Sequence, residues 1–316
     1  MIATKAGATL LGTAPPRLPS EAVLITGAAS GIGYATAMRL ARKGQIVYAG
    51  VRRESDAEIV AIEGGENVRP LILDIGDEAS IARARTAISR AHDVRLTGLV
   101  NNAGISIAGP LEMLPMEELR RLFEVNFFGT IAMMQAFIPL LREHRGRIVN
   151  VSSIGGKLAA PFVGAYAASK FALEAASDSL RLELRPFGID VAIVEPGAVK
   201  TPMWQRSADE SLRVLDTIPQ SSRIAYDEMI RNIVRFAQQM EKRGIPPEQV
   251  AASIDRALHD PHPKARYLVG SDARVRLLVA RLPEGLRDRI VATIAGAPLK
   301  PPRIGRNKTK SRTVNA

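Results

Sequence analysis

The chain has 316 residues, 46% apolar, 24% charged and only 4% aromatic, which suits a globular protein with a core of Ala, Val, Ile and Leu. It has no cysteine, which excludes disulfides, thiolate metal sites and cysteine nucleophiles together. The formal charge of +11 would fit a nucleic-acid binder, but six of those charges (Lys300, Arg303, Arg306, Lys308, Lys310, Arg312) lie in residues 297–316, which hold no acid.

No recognition motif or basic-aromatic interleaving accompanies that tail, so no specific nucleic acid is expected, only weak contact with anionic surfaces. The histidines (His92, His144, His259, His262) are scattered and lack a carboxylate series, so no metal site is expected. No stretch approaches about 18 uninterrupted apolar residues, and Gly and Thr interrupt Met1 to Pro19 as a signal sequence. The expectation is a cytoplasmic protein without a membrane span.

From Glu21 the chain repeats a short β-branched run followed by a longer amphipathic stretch, the pattern of a parallel sheet with crossover helices. Strands are predicted at Ala22–Thr26, Gln45–Ala49, Val68–Leu73, Gly98–Asn101, Arg147–Val151, Asp190–Val194 and Arg266–Val269. Helices are predicted at Ile32–Lys43, Asp56–Ile62, Asp77–Ala91, Met116–Leu141, Gly164–Leu184 and Pro247–His259. The fold class is therefore α/β, a doubly wound seven-stranded parallel sheet with helices on both faces. The domain plan is an N-terminal arm (1–20), a catalytic domain (21–270) containing a lid region (200–245), a helical extension (271–296) and the basic tail (297–316). Lys200–Ser222 reads as a polar, loop-rich insertion at the sheet's carboxyl edge, followed by a helix near Ile224–Lys242, as lids commonly are. Ala273–Leu282 and Leu286–Ile294 read as amphipathic helices.

The first strand runs into Thr26-Gly27-Ala28-Ala29-Ser30-Gly31-Ile32-Gly33 and then a helix. Glycines there permit a tight turn and close approach to a pyrophosphate held at the helix N-terminus, which makes Gly27, Ser30, Gly31, Ile32 and Gly33 candidate dinucleotide-binding residues. Val51, not an acid, stands at the end of the second strand, followed by Arg52 and Arg53. An Arg there pairs with a 2′-phosphate, which favours NADP(H) over NAD(H); Glu54 and Asp56 are the competing partners.

Tyr166 and Lys170 share a helix face at i and i+4, so the ammonium is expected to draw the phenol toward a working acid/base range. Ser153, at the end of the fifth strand, is placed to hydrogen-bond the same substrate oxygen; Ser152 is the competing residue. Asn126 puts an amide in the helical stripe Leu119, Leu122, Phe123, Phe127, Thr130. A buried amide needs partners, either backbone or an ordered relay water.

Together these motifs resemble the short-chain dehydrogenase/reductase family over roughly Glu21 to Gly270, with Asn101-Asn102-Ala103-Gly104 and Pro196-Gly197 in the expected order. The resemblance implies that Tyr166 is the acid/base, that Lys170 tunes it and holds the nicotinamide ribose, that Ser153 orients the substrate oxygen and that Asn126 holds a relay water. It further implies that Asp74 and Ile75 contact the adenine, that Asn101, Ala103 and Gly104 brace the adenosine side, and that Pro196, Gly197, Val199 and Thr201 seat the nicotinamide. Ser153–Gly156 and Ser179–Leu184 look most like the retinol and hydroxysteroid dehydrogenase branch. Ile105, Ile154, Pro161, Phe162, Met203 and Trp204 are apolar pocket candidates for a hydrophobic alcohol or carbonyl. Two apolar stripes on the helix after Tyr166, one of them Phe171, Ala175 and Leu182, lead to the expectation of a homodimer or homotetramer. A non-catalytic dinucleotide-binding regulator is the alternative; intact Asn126, Ser153, Tyr166 and Lys170 speak against it.

Overall fold

The computed structural model describes residues 19–216 and 242–296, with a few isolated positions between them. The arm up to residue 18, most of the helix expected near 224–242 and the tail 297–316 lie outside the described residues.

Seven parallel strands form one sheet in the order β3-β2-β1-β4-β5-β6-β7. They are β1 (Ser20–Thr26), β2 (Ile46–Val51), β3 (Val68–Ile72), β4 (Val94–Asn101), β5 (Arg147–Val151), β6 (Asp190–Pro196) and β7 (Arg266–Val269). The helices α1 (Gly31–Arg42), α2 (Glu54–Gly64), α3 (Glu78–Ser89), α4 (Met116–Phe123), α5 (Thr130–Glu143), α6 (Gly164–Leu184) and α7 (Met203–Asp216) are followed by Pro247–His259, Ser271–Ala280 and Glu284–Ala295. The strands read as near-continuous apolar runs because both sheet faces are covered. Val23 and Ile25 pack under α1 and helix Pro247–His259 with Met38, Val250 and Ile254. Ala22 and Leu24 face the other way, toward Met133, Phe137 and Leu141. The strand order reverses between β1 and β4, and this opens a crevice at the strands' carboxyl ends, where such sheets bind ligands.

Two elements, β4 and the stretch after Lys200, differ from the sequence expectation, and the helix expected from Met116 is present. β4 starts at Val94, four residues earlier, because its first half alternates and leaves Arg95 at the surface, bonded to Glu21 at 2.9 Å. Residues 116–143 form one helical run, long and apolar enough to meet the criterion for a membrane span. Its Met133, Met134, Phe137 and Leu141 are instead buried in the core. The polar stretch after Lys200 contains a 14-residue helix, α7. Its inward positions include Ser207, Ala208, Ser211, Val214 and Leu215, spaced i, i+1, i+4, i+7, i+8. Small and hydroxylated side chains serve there because Ser211 Oγ accepts from the Ala108 amide at 2.9 Å and donates to the Ser207 carbonyl at 2.6 Å.

Candidate active site

The turn between β1 and α1 lies at the switch point. Gly27 (φ +67) and Gly31 (φ +59) take left-handed conformations, which glycine adopts without steric cost. A Cβ on Gly33 would stand 2.3 Å from the Gly27 carbonyl oxygen, so this position admits no side chain. The turn is braced from behind: Asn102 Nδ2 donates to the carbonyls of Thr26 (3.0 Å) and Gly27 (3.2 Å), and Thr26 Oγ1 accepts from the amides of Asn102 and Ala103, both at 3.0 Å. The N-cap of α1, Ser30, makes no side-chain bond to the helix, and its first turn holds no acid. Gly31, Ile32 and Gly33 thus offer an anion a helix start without a competing carboxylate. A dinucleotide diphosphate fits this cradle.

The two arginines after β2 divide in role. Val51 is buried. Arg53 is held by Asp56 through two bonds, at 2.9 and 3.0 Å, as the competing pairing anticipated. Arg52 is exposed and has no ion pair among the described residues, which leaves its fork for a ligand. Asp74, expected to contact the adenine with Ile75, is exposed just past β3, accepts from the Gly76 amide at 3.0 Å, and is followed by buried Ile75.

Ser153, Tyr166 and Lys170 converge where β5 gives way to α6. Ser153 Oγ accepts from the Gly155 amide at 3.0 Å. A Cβ on Gly155 would lie 3.3 Å from that oxygen and 3.4 Å from the Tyr166 ring, so serine and tyrosine border one small space. Ser152 is buried beneath them. Burial pushes the Tyr166 phenol above its ordinary value, and a hydrogen bond with Ser153 opposes it. The expected pull of Lys170 on the phenol is not met. Its ammonium donates to the Val151 carbonyl at 3.0 Å and stands 5.8 Å from the ring centre. Burial itself lowers Lys170 to about 8, against the charge of Glu174.

Asn126, fully buried, lies in a π-helical turn, Glu124–Gly129, a distortion frequent at functional sites. Its Oδ1 accepts from the Ile105 amide at 2.8 Å, and its Nδ2 donates to the Ile105 carbonyl at 2.9 Å and to Ser169 Oγ at 3.0 Å. Backbone and the Ser169 hydroxyl thus satisfy this amide, and both its hydrogens are used. Gly104 is the close approach: a Cβ there would be 3.2 Å from Asn126 Oδ1 and 3.8 Å from Lys170 Nζ. Asn101 is not part of this surface; it is buried and donates to Asn150 Oδ1 at 2.8 Å, so its side chain joins β4 to β5 instead of bracing a ligand.

The profile of the short chain dehydrogenase family matches residues 21–211. The chain belongs to that family. It is 36% identical over 265 residues to an uncharacterised oxidoreductase, YusZ, of Bacillus subtilis, covering 82% of this chain and 92% of that protein. It is equally 36% identical over 284 residues to retinol dehydrogenase 5 of Mus musculus, covering 87% and 89%. A short chain dehydrogenase from Burkholderia cenocepacia, solved in complex with NADP, superposes with a TM-score of 0.65 at 29% identity, covering 90% of this chain and 98% of that one. This short-chain dehydrogenase is thus an NAD(P)-dependent oxidoreductase of CH–OH groups, with retinol dehydrogenases among its relatives.

Of the residues expected to seat the nicotinamide in this short-chain dehydrogenase, Pro196 and Val199 are buried, and Thr201 abuts the glycine turn: a Cβ on Gly31 would lie 3.0 Å from Thr201 Cγ2. Asp272 was not anticipated. It comes from the helical extension, and its Oδ2 accepts from the Ala198 amide at 2.8 Å, pinning the Pro196–Gly197 turn. Gly197 is required there, because a Cβ would stand 2.2 Å from that carboxylate. Among the pocket candidates, Ile105, Pro161 and Trp204 are half-buried and Met203 is exposed. Ile154 is only 1% exposed and belongs to the interior packing, a correction to its expected place in the pocket. Phe162 holds a left-handed φ of +69 and packs edge-on against Tyr226 at 6.0 Å.

Proposed function

We propose that this enzyme reduces a hydrophobic ketone or aldehyde, and oxidises the matching alcohol, with NADP(H) favoured over NAD(H). The observation that carries the reading is the shared space of Ser153 and Tyr166 beside Gly155, with Lys170 one helical turn behind. A bound nicotinamide supplies or accepts the hydride at the substrate carbon. Tyr166 Oη gives its proton to the carbonyl oxygen in reduction and takes it back in oxidation. Ser153 Oγ donates to the same oxygen and orients it. Because burial pushes the phenol up, Tyr166 rests protonated near neutrality, the form reduction needs. Lys170, lowered to about 8, supplies a nearby positive charge that holds the phenolate as it forms. Asn126 is a positioning residue: it clamps the Gly104–Ile105 turn next to Lys170.

Half-buried Ile105, Pro161 and Trp204 support an apolar substrate. Arg52, with its free fork, supports the 2′-phosphate. Phe171 (44% exposed) and Leu182 (59%) leave an apolar stripe on the outer face of α6, which supports assembly of two or four copies. The experiment is oxidation of NADPH and NADH over a panel of medium-chain, steroid, retinoid and aromatic carbonyls, with the reverse reactions. Turnover faster with NADPH and greatest for apolar substrates is expected; no turnover with any carbonyl would return the chain to a regulatory role.

A further inference from the structure

Resting on the reading that NADP(H) is the cofactor, we propose that Arg206, on the lid helix α7, is a second phosphate-binding arginine that closes over the 2′-phosphate end of the site. Its Nη2 donates to Ser30 Oγ at 3.2 Å, across 176 residues of sequence. Ser30 is the N-cap of α1, the centre of the glycine turn, so the lid reaches the cradle itself. Thr201 and Pro202 lie over Gly31, and α7 begins directly after them.

Among the described residues no acid pairs with this guanidinium. Acids stand at i+3 and i+4 on the same helix, but Asp209 accepts from Gln205 at 2.9 Å, and Glu210 pairs with Arg121 at 2.6 Å and with Arg213. Arg206 points away from both, toward a neutral hydroxyl. Among the described residues it has no ion pair, a state it shares with Arg52 and not with Arg53. The end of the site it faces is fixed by Asp56 in the first turn of α2. That carboxyl is held below its ordinary value, first by the Arg53 hydrogen bond, against burial, and then by the charges of Arg53, Arg206 and Arg52. The charges of all three arginines thus act on one carboxyl in the first turn after β2, the part of the fold where the ribose 2′ position of a dinucleotide falls. Asp56 satisfies Arg53, and two guanidinium forks remain. A dianionic phosphate monoester is the ligand that two such forks suit, while a ribose hydroxyl offers them little.

The test is calorimetric binding of NADP+ and NAD+ to the full chain and to its Arg206→Gln and Arg206→Lys variants. Loss of one charge-assisted contact should weaken NADP+ by roughly tenfold or more in Arg206→Gln, with less than about threefold change for NAD+ and an intermediate loss in Arg206→Lys. The fluorescence of Trp204, the chain's one tryptophan, anchored by its Nε1 to the Val199 carbonyl at 2.8 Å, gives a second readout. It should respond to NADP+ in the native chain and respond less in Arg206→Gln. Equal losses for both dinucleotides would place Arg206 on the common diphosphate and overturn the proposal, as would unchanged binding of NADP+. A native chain that prefers NAD+ would overturn the cofactor reading itself, whatever the variants do.

Discussion

Lys170 Nζ stands 5.8 Å from the centre of the Tyr166 ring and bonds the Val151 carbonyl at 3.0 Å, not the phenol. The ammonium thus makes no bond to the phenol, and β5 holds it in place. Burial pushes Tyr166 up and Lys170 down, so the pair favours a protonated phenol beside a cation that is easily neutralised.

From that state the two directions should differ with pH. Reduction begins from the neutral phenol and should be nearly flat below pH 8. Oxidation needs the phenolate and should rise steadily with pH over the same range. Rate profiles in both directions check this, and parallel profiles would refute it. Tyr166→Phe should lower kcat by about a thousandfold or more, the scale of acid–base assistance plus positioning, while dinucleotide affinity measured by calorimetry stays within about threefold.

Glu174 lies one turn beyond Lys170, is buried, and raises the ammonium's pKa by its charge. Glu174→Gln removes that support, so Lys170 should lose its proton at a lower pH than about 8. The alkaline limb of kcat/KM for reduction should move acidward, and the plateau below it should keep its height. A purely structural role for Glu174 would lower the whole profile without moving the limb. Glu174→Asp, which keeps the charge, should restore its position.

The sheet and the placing of Tyr166 and Lys170 on one helix face were legible in sequence because they rest on local spacing. β-Branched runs, the glycine turn and the i, i+4 step from Tyr166 to Lys170 each lie within one window. What stayed hidden joins distant segments. Asp272 reaches Ala198 across 74 residues and Arg206 reaches Ser30 across 176, and neither acid nor arginine carries a local signature. The helix α7 was obscured for another reason: its inward face begins with Ser207, Ala208 and Ser211, composition typical of a loop, and Ser211 meets the Ala108 amide only in the folded chain. Asn101 misled because a motif residue at a strand end reads as ligand-facing, while its amide in fact binds Asn150.

Asp255 joins α1 to helix Pro247–His259. Its Oδ2 takes Lys43 at 2.5 Å and Arg39 at 2.7 Å, both from α1. Burial works against its charge, but the hydrogen bonds from Lys43 and Arg39 outweigh this and hold the carboxyl below its usual range. A depressed carboxylate contributes stability above its unfolded pKa, and the contribution is lost as pH falls through the folded value. Asp255→Asn should therefore cost about 1–2 kcal/mol at pH 7, a modest figure because both cations are substantially exposed. Thermal unfolding should show the deficit at pH 7 and see it shrink toward pH 3.

Glu195, the residue before Pro196, shows the opposite sign. Its side chain is 2% exposed, with Arg266 Nε at 3.1 Å and Lys157 Nζ at 3.6 Å. Burial and then the charge of Glu174 raise it to about 7, and Lys157 and Arg266 only partly oppose them. A carboxyl whose folded pKa is raised contributes stability that is fully present below its unfolded value, near 4.5, and is lost as pH rises through about 7. The native chain should thus lose melting temperature between pH 5 and pH 8. Glu195→Gln keeps the shape and removes the charge, and its two cations retain other partners: Lys157 keeps Glu174 at 2.7 Å, and Arg266 keeps Asp178 at 2.5 Å and Glu174 at 3.3 Å. At pH 8 the variant should melt a few degrees higher than the native chain, on the order of 2–4 °C per kcal/mol for a domain of this size, and at pH 5 the two should nearly coincide. Melting curves at constant ionic strength decide it; a variant less stable than the native chain at pH 8 would show that the pairs with Lys157 and Arg266 outweigh the cost of burying two adjacent carboxylates.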